Sequence, residues 1–220
     1  MAQGIYSGLR GAENGRRITV NGEGSVMASP NKATATLGVR TENPNLQKAQ
    51  ADNAKIAQDI VTALVSLEIP KDDIKTADYR IDPIYTYEDG KQLFQGYRVT
   101  HLYTITIRNA EQVGVVIDTA VKNGANEVMN IQFTVADPQA YYNHALSLAV
   151  IDSYKKAQTI ARTFGITNQP QFLSITEESQ KAVPGPYLVA SFEKSSGSGT
   201  PIEPGKLEIK ATLKATYSIV

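Results

Sequence analysis

Residues 207–219 alternate strictly between apolar and polar side chains. Seven apolar residues, the first Leu207 and the last Ile219, occupy every second position, and Glu, Lys, Thr or Ser stands between them. Successive side chains of a β-strand point to opposite faces, so the pattern predicts a strand with one buried face. An apolar strand of this length would promote aggregation if its edge were left open, so we expect it to pair inside a sheet.

Six other segments are interpreted as extended strands from similar patterns. They span residues 17–26, 32–40, 74–87, 99–107, 129–135 and 172–178. Turn residues at 29–31 and at Asp89-Gly90 predict that the first two segments form one β-hairpin and the next two form another. Pro83 interrupts the third segment and favours an edge strand or a bend.

Three segments between the strands have the three- or four-residue spacing of helices. They span residues 43–69, 111–122 and 137–164. Asn43-Pro44 and Asp137-Pro138 each combine a capping side chain with proline at the first helical position, which is typical of a helix start. The first half of the third helix is apolar nearly all round, which favours the more buried position for that helix.

These elements predict an α+β fold. We expect an antiparallel sheet with two long amphipathic helices and one short helix packed on one face, and the order of elements also suggests two related halves. Residues 1–16 are rich in glycine and are predicted to be a flexible tail. Residues 17–220 are predicted to form a single domain, with a Pro-, Gly- and Ser-rich arm protruding at 181–205.

Composition argues against several classes of function. Lys plus Arg and Asp plus Glu both number 22, so the chain lacks the basic excess of nucleic-acid-binding proteins. It has no cysteine and two histidines, so we expect no disulfide, no metal site and no cofactor. No apolar stretch approaches the roughly 18 to 20 residues of a membrane-spanning helix, so we expect no integral membrane segment.

The Gly22-Glu23-Gly24 sequence does not fit a dinucleotide-binding motif. Met27 occupies the place of the third glycine, and the segment continues as a strand and not as a helix. Glycine inside a strand marks a bulge or close packing by a neighbouring element. We interpret these glycines as packing residues.

The titratable residues suggest no catalytic arrangement. Asp72-Asp73 is explained by a helix start or a solvated turn. Glu177-Glu178 is explained by the end of a strand. His101 falls on the core-facing side of a strand, and His144 lies near the start of a helix without a second ligand at suitable spacing. We therefore predict that the protein is not an enzyme.

Two groups of residues are candidates for binding. The arm is apolar for a loop, so Pro184, Tyr187, Leu188 and Phe192 are a candidate subunit or partner contact. Tyrosines at 79, 85, 87, 97 and 103 fall in the second hairpin. Ordinary core and sheet packing is the favoured explanation, and the alternative is that their amphipathic rings cover an interface. Instead of a protein contact, the chain could have a small-ligand pocket between sheet and helices, near Tyr85, Tyr97 and His101.

Several short motifs, taken together, resemble the SIMPL-domain family of bacterial periplasmic and outer-membrane-associated antigens. They are V-N-G-E-G at 20–24, Pro30, Ile81, Pro83, Tyr85, Tyr97-Arg98, G-A-N-E-V at 124–128, Ile131, Phe133, Ala145, Ala149, Lys156, Ala157, Ala161 and P-I-E-P-G-K-L at 201–207. The resemblance implies an α+β fold, large ring-like or channel-like oligomers, and roles in stress tolerance or as surface antigens. It implies no catalytic residues.

The sequence thus predicts a non-enzymatic oligomeric or scaffold protein, stress- or envelope-related by resemblance, that forms homo-oligomers and binds protein partners. A small-ligand-binding protein or an unrecognised enzyme is the alternative. Residues 1–17 contain no apolar signal-peptide core, so the expected location is the cytoplasm. A periplasmic or cell-surface location is the alternative if a signal peptide has been removed.

Overall fold

The computed structural model describes residues 16–178, 200, 202 and 204–219. This part of the chain contains strands β1 (Arg16–Ala28), β2 (Lys32–Asn43), β3 (Ile74–Glu88), β4 (Lys91–Ile107), β5 (Glu127–Thr134), β6 (Gln171–Glu177) and β7 (Leu207–Ile219), and helices α1 (Leu46–Ser66), α2 (Val113–Lys122) and α3 (Pro138–Thr163). The α+β prediction is confirmed. None of these helices is both long and apolar enough to cross a bilayer.

The described residues divide into two compact units. The first unit contains residues 16–26, 139–178 and 209–219, and the second contains residues 27–138 and the described part of 200–208. The expectation of a single domain over 17–220 stays a prediction. Of the predicted tail, only Arg16 is described, where it begins β1, and residues 179–199 of the predicted arm lie outside the described residues.

The second unit is built on a four-stranded sheet in the order β3-β4-β2-β5, with each neighbouring pair antiparallel. The predicted β3–β4 hairpin is confirmed. Its turn residues Asp89 and Gly90 have φ angles of 48° and 75°, the left-handed conformation that a tight hairpin turn requires.

The core of this unit lies between the sheet and helices α1 and α2. Its buried members from these elements are Ala33, Ala35, Leu37, Val39, Ala57, Ile60, Leu64, Ile105, Ile107, Val113, Val116, Ile117, Ala120 and Phe133. Helix α1 begins two residues later than predicted, because the side chain of Asn45 caps it by accepting from the Lys48 N–H at 2.9 Å. Asn43 accepts instead from the Asn45 N–H at 2.9 Å.

The first unit is built on a three-stranded sheet in the order β1-β7-β6. The predicted hairpin between β1 and β2 is therefore wrong, because β1 pairs with β7 and β2 belongs to the other sheet. Alternation reveals which face of a strand is buried but not which strand lies beside it. The turn at 29–31 separates two strands of different sheets.

Helix α3 packs very closely against β1. A β-carbon on Gly22 would lie 2.2 Å from the carbonyl oxygen of Ala149, and one on Gly24 would lie 2.1 Å from that of Ala145. The helix meets the strand through a stripe of small residues with a four-residue period, Ala145, Ala149, Ser153, Ala157 and Ala161. The interpretation of Gly22 and Gly24 as packing residues is confirmed.

The expectation that α3 is the more buried helix stays a prediction, since α1 and α3 each have five buried residues. Val150 is 38% exposed and Ile151 is 49% exposed, while only the small-residue stripe is fully buried. Small side chains let the backbones of helix and strand approach, so a narrow face makes the contact and the larger apolar residues remain outside it.

Candidate interaction surface

The β3–β4 hairpin carries a row of apolar, mostly aromatic side chains on one face. Opposite residues of an antiparallel pair share a face, and the register places Tyr79 opposite His101 and Tyr85 opposite Phe94. His101 in turn lies opposite Val39, a core residue of β2. The row therefore extends the core-facing side of the sheet outward along the hairpin. We call it the aromatic strip; its members are Tyr79, Ile81, Tyr85, Tyr87, Phe94, Tyr97, His101 and Tyr103.

Much of the aromatic strip is open to solvent. Tyr87 is 73% exposed, Phe94 48%, Tyr79 46% and Tyr85 44%. Single exposed apolar residues are ordinary, but neighbouring ones that form a continuous patch mark sites of interaction. The exposed part of the strip is such a patch.

The outer part of the strip is a chain of edge-to-face ring contacts. The ring centroid of Phe94 lies 5.7 Å from that of Tyr85 and 5.1 Å from that of Tyr97. A shift in register at this point gives β4 one extra residue, Gln95, between the paired positions. The shift puts Phe94 on the same face as Tyr97, so the three rings form one apolar group.

The inner part of the strip surrounds His101. Its ring lies 5.1 Å from that of Tyr79 and 4.4 Å from that of Tyr103. The hydroxyl of Tyr103 is 3.4 Å from Nδ1, and that of Thr76 is 3.5 Å from Nε2. Burial lowers the pKa of His101, since removal from water disfavours the charged imidazolium, and raises the pKa of Tyr103.

The opposite face of the hairpin is charged. Arg80 pairs with Asp78 at 2.8 Å and with Asp82 at 3.3 Å, and Arg98 of β4 pairs with Glu42 of β2 at 2.7 Å. The hairpin thus has one apolar aromatic face and one face of matched charges.

Strand β3 forms an edge of its sheet, and no described strand lies on its outer side. It is 15 residues long and exposed at most positions. Soluble proteins usually keep edge strands short, charged or covered, because an open edge can pair with another chain. A long edge beside an exposed aromatic strip is a suitable surface for protein association.

The structure brings together two of the three residues predicted to line a ligand pocket. Tyr85 and Tyr97 both contact Phe94, whereas His101 belongs to the neighbouring group with Tyr79. Phe94 was not identified from the sequence, because its place depends on the register shift at Gln95. The other candidate contact, formed by Pro184, Tyr187, Leu188 and Phe192, lies outside the described residues.

The acidic pairs singled out in the sequence make structural contacts. Asp73 binds the guanidinium group of Arg108, with 2.7 Å between Oδ2 and Nε. Glu177 accepts a hydrogen bond from the hydroxyl of Tyr142. Among the described residues, no group of three or more His, Asp or Glu side chains is placed to hold a metal ion.

The C-terminal end of the predicted arm is anchored on α2. The Thr200 N–H and hydroxyl donate to the carboxylate of Asp118 at 3.0 and 2.5 Å. Two residues later, Ile202 packs against the apolar core. The hydrogen bonds from Thr200 hold the pKa of Asp118 below its ordinary value. Thr200 and Ile202, which flank the first residue of the P-I-E-P-G-K-L motif, are thus both held on the second unit.

Comparison with known proteins identifies a family and several bacterial relatives. The family model of SIMPL, described as a protein of unknown function (DUF541), matches residues 18–217. The uncharacterized protein YggE of Escherichia coli K12 is 33% identical over 153 residues, which are 69% of this chain and 61% of YggE. The chain thus spans less than two thirds of the length of that relative. YggE of Edwardsiella ictaluri is 28% identical over 175 residues, 77% of this chain and 72% of the relative.

A further relative bears on cellular location. The 26 kDa periplasmic immunogenic protein of Brucella melitensis is 27% identical over 212 residues, covering 92% of this chain and 84% of the relative. The expectation of a cytoplasmic location is therefore wrong, since a relative that aligns over nearly the whole chain is periplasmic. The absence of an apolar signal-peptide core from residues 1–17 was not a reliable guide to compartment.

Proposed function

Because this chain belongs to the SIMPL family, whose function is unknown, we propose that it is an exported, non-enzymatic protein that acts as a homo-oligomer or scaffold. One observation carries the proposal: the aromatic strip is exposed beside the open edge of β3. In this proposal the strip is the surface on which a second copy of the chain, or another protein, is bound.

The chemistry of the hairpin suits protein association. Removal of apolar side-chain area from water favours association, in proportion to the area that the interface covers. The exposed rings of Tyr85, Tyr87 and Phe94 lie within one patch, and their edge-to-face contacts hold Tyr85 and Phe94 in fixed positions. Rigid aromatic residues lose little conformational entropy on binding, and interfaces are enriched in them.

The roles of the titratable groups support a non-enzymatic function. The carboxylates of Asp73 and Glu177 are engaged by Arg108 and Tyr142, and His101 is packed among tyrosine rings. These contacts give each of the three side chains a structural role in the fold. A stress- or envelope-related role is proposed by family resemblance, and the periplasmic Brucella relative supports export.

Light scattering coupled to size exclusion tests the proposal. The wild-type chain is expected to have a solution mass that is a multiple of 23.8 kDa. Phe94→Lys and Tyr85→Lys place a charge in the centre of the strip and are expected to lower that mass. Met129→Lys is a matched control, because Met129 is 43% exposed on β5 at the opposite edge of the sheet.

The arm is tested separately. Shortening the chain between residues 184 and 198 removes the candidate contact residues Pro184, Tyr187, Leu188 and Phe192. A lower mass after shortening would assign part of the subunit contact to the arm, and an unchanged mass would leave the strip as the interface. A wild-type monomer at micromolar concentration would overturn the proposal and favour the ligand-binding alternative near Tyr85, Tyr97 and His101.

A further inference from the structure

The outer edge of β1 faces the charged side of helix α3. The N–H of Glu23 donates to the carboxylate of Asp152 at 2.9 Å, and the carbonyl of Asn21 accepts from the ammonium group of Lys156 at 3.0 Å. In a strand, the N–H and C=O of one residue point to the same side, and alternate residues share that side. The backbone polar groups of Thr19 therefore also point away from β7.

Asp152 and Lys156 stand where a further strand would supply hydrogen bonds. They form an ion pair at 2.8 Å, one helical turn apart. The hydrogen bond from Lys156 is the largest influence that lowers the pKa of Asp152, and the N–H of Glu23 adds to it. This pair engages the carbonyl of Asn21 and the N–H of Glu23, but it does not reach the N–H of Asn21 or the backbone groups of Thr19.

A groove lies beside the remaining part of this edge. Its volume is about 640 Å³, and it is open to solvent along its length. It is lined by Thr19, Val20, Asn21, Lys155, Lys156, Thr159 and Ile160. The wall formed by β1 offers backbone donors and acceptors, and Val20 and Ile160 form the apolar part. On the wall formed by α3, Lys156 is engaged by Asp152 and Asn21 and the Thr159 hydroxyl donates to the Lys155 carbonyl, so the ammonium group of Lys155 is the charge offered to a ligand. The lining contains no carboxylate.

We propose that this groove binds an extended peptide segment that carries an acidic side chain, by adding the peptide as a strand to the edge of β1. Peptide addition to a sheet edge gains affinity from main-chain hydrogen bonds and selectivity from the adjacent side chains. Here the peptide pairs with the backbone groups of Thr19 and with the N–H of Asn21, and its carboxylate meets Lys155. Among the described residues, Lys155 forms no ion pair; the carboxylate that its charge acts on is Asp152, which is already paired with Lys156. This site is separate from the aromatic strip and does not depend on it.

Peptide titration of the full chain tests the proposal. The probe is a fluorescein-labelled ten-residue peptide of alternating Val and Thr with one central Glu. Two matched peptides accompany it: one with Gln in place of Glu, and one N-methylated at every residue so that neither of its edges can donate to a strand. We expect anisotropy to show binding of the Glu peptide below about 1 mM, weaker binding of the Gln peptide, and no binding of the N-methylated peptide.

Substitutions in the protein locate the site. Lys155→Gln is expected to weaken binding of the Glu peptide about threefold, and Lys155→Glu about tenfold or more. Lys55→Glu is the matched control, because Lys55 is an exposed lysine of α1 in the other unit. Nitrogen-15 chemical shifts should move at the amides of Thr19 and Asn21. The proposal is overturned if the Glu peptide does not bind, if N-methylation leaves its affinity unchanged, or if Lys155→Glu and Lys55→Glu have equal effects.

Discussion

Gly24 of β1 lies so close to Ala145 of α3 that a β-carbon on Gly24 would stand 2.1 Å from the Ala145 carbonyl oxygen. Atoms of a helix backbone cannot move aside as the end of a flexible side chain can. Glycine is therefore required at this position for the strand and the helix to pack. The V-N-G-E-G motif of residues 20–24 is explained by this contact and not by a ligand.

Replacement of Gly24 by alanine should destabilise the fold. The added methyl group must push α3 away from β1, and overpacking of this kind costs about 1–3 kcal/mol or more. Denaturation in urea measures the loss as a lower midpoint. Ser25→Ala is the control, because Ser25 is exposed at the next position of β1 and its replacement should change the free energy of unfolding by less than about 0.5 kcal/mol. Equal effects of the two substitutions would contradict the packing role of Gly24.

Removal of the Asn53 side chain should also destabilise the fold. Asn53 of α1 is 1% exposed, and its amide donates to the carbonyl oxygens of Val39 at 3.2 Å and Val99 at 3.0 Å. It thus joins the helix to β2 and β4. Asn53→Ala is expected to lower the free energy of unfolding by about 1–3 kcal/mol, whereas Gln58→Ala on the exposed side of α1 should have little effect. A neutral result for Asn53→Ala would show that this bridge does not stabilise the helix.

His101 should make the stability of the protein depend on pH in the mildly acidic range. Burial lowers its pKa from the ordinary value of 6.5, so the unfolded chain binds a proton more readily than the folded one. The stability contributed by neutral His101 is complete above pH 6.5 and is lost as the pH falls through the folded-state pKa.

The measurement is the thermal midpoint of the wild-type protein minus that of His101→Gln, taken at about pH 7.5 and about pH 5.5. This difference should fall on acidification, because only the wild type carries the partly buried imidazole of His101. His144→Gln is the control, since His144 is exposed on α3. A difference that stays constant or grows between the two pH values would contradict the assignment.

Asp118 should hold the chain at Thr200. Asp118→Ala removes both acceptors of the Thr200 N–H and hydroxyl, so the amide of Thr200 should exchange with solvent more rapidly. Hydrogen exchange followed by mass spectrometry reports this directly. Thr119→Ala supplies a comparison on the same helix. If exchange at Thr200 is unaffected by Asp118→Ala, the packing of Ile202 alone anchors this part of the chain.

Local signals in the sequence predicted most of the secondary structure, because each depends on a few neighbouring residues. Asp89-Gly90 predicted a hairpin turn, and both residues have the positive φ angles that the turn needs. Asp137-Pro138 predicted the start of α3, which begins at Pro138. The predicted cap of α1 is Asn43, whereas the observed cap is Asn45. The sequence does not distinguish the two, because either asparagine can accept from a backbone N–H.

Partners far apart in the chain could not be predicted in this way. The pairing of β1 with β7 joins residues nearly at opposite ends of the chain, and alternation alone carries no information about it. The contact between Phe94 and Tyr97 depends on the extra residue Gln95 in β4, which no local pattern marks. The groove beside β1 depends on where α3 crosses the sheet, so the roles of Lys155 and Lys156 required the structure.

Hydrogen exchange of the β3–β4 hairpin at low and high protein concentration tests the central claim most directly, because it reports whether this surface is covered when the chains associate. If the aromatic strip and the open edge of β3 form the interface, amides of Ile74–Glu88 should become more protected as the light-scattering mass rises above 23.8 kDa. Exchange in β3 that does not change while the mass increases would contradict the account, since the chains would then associate through another surface.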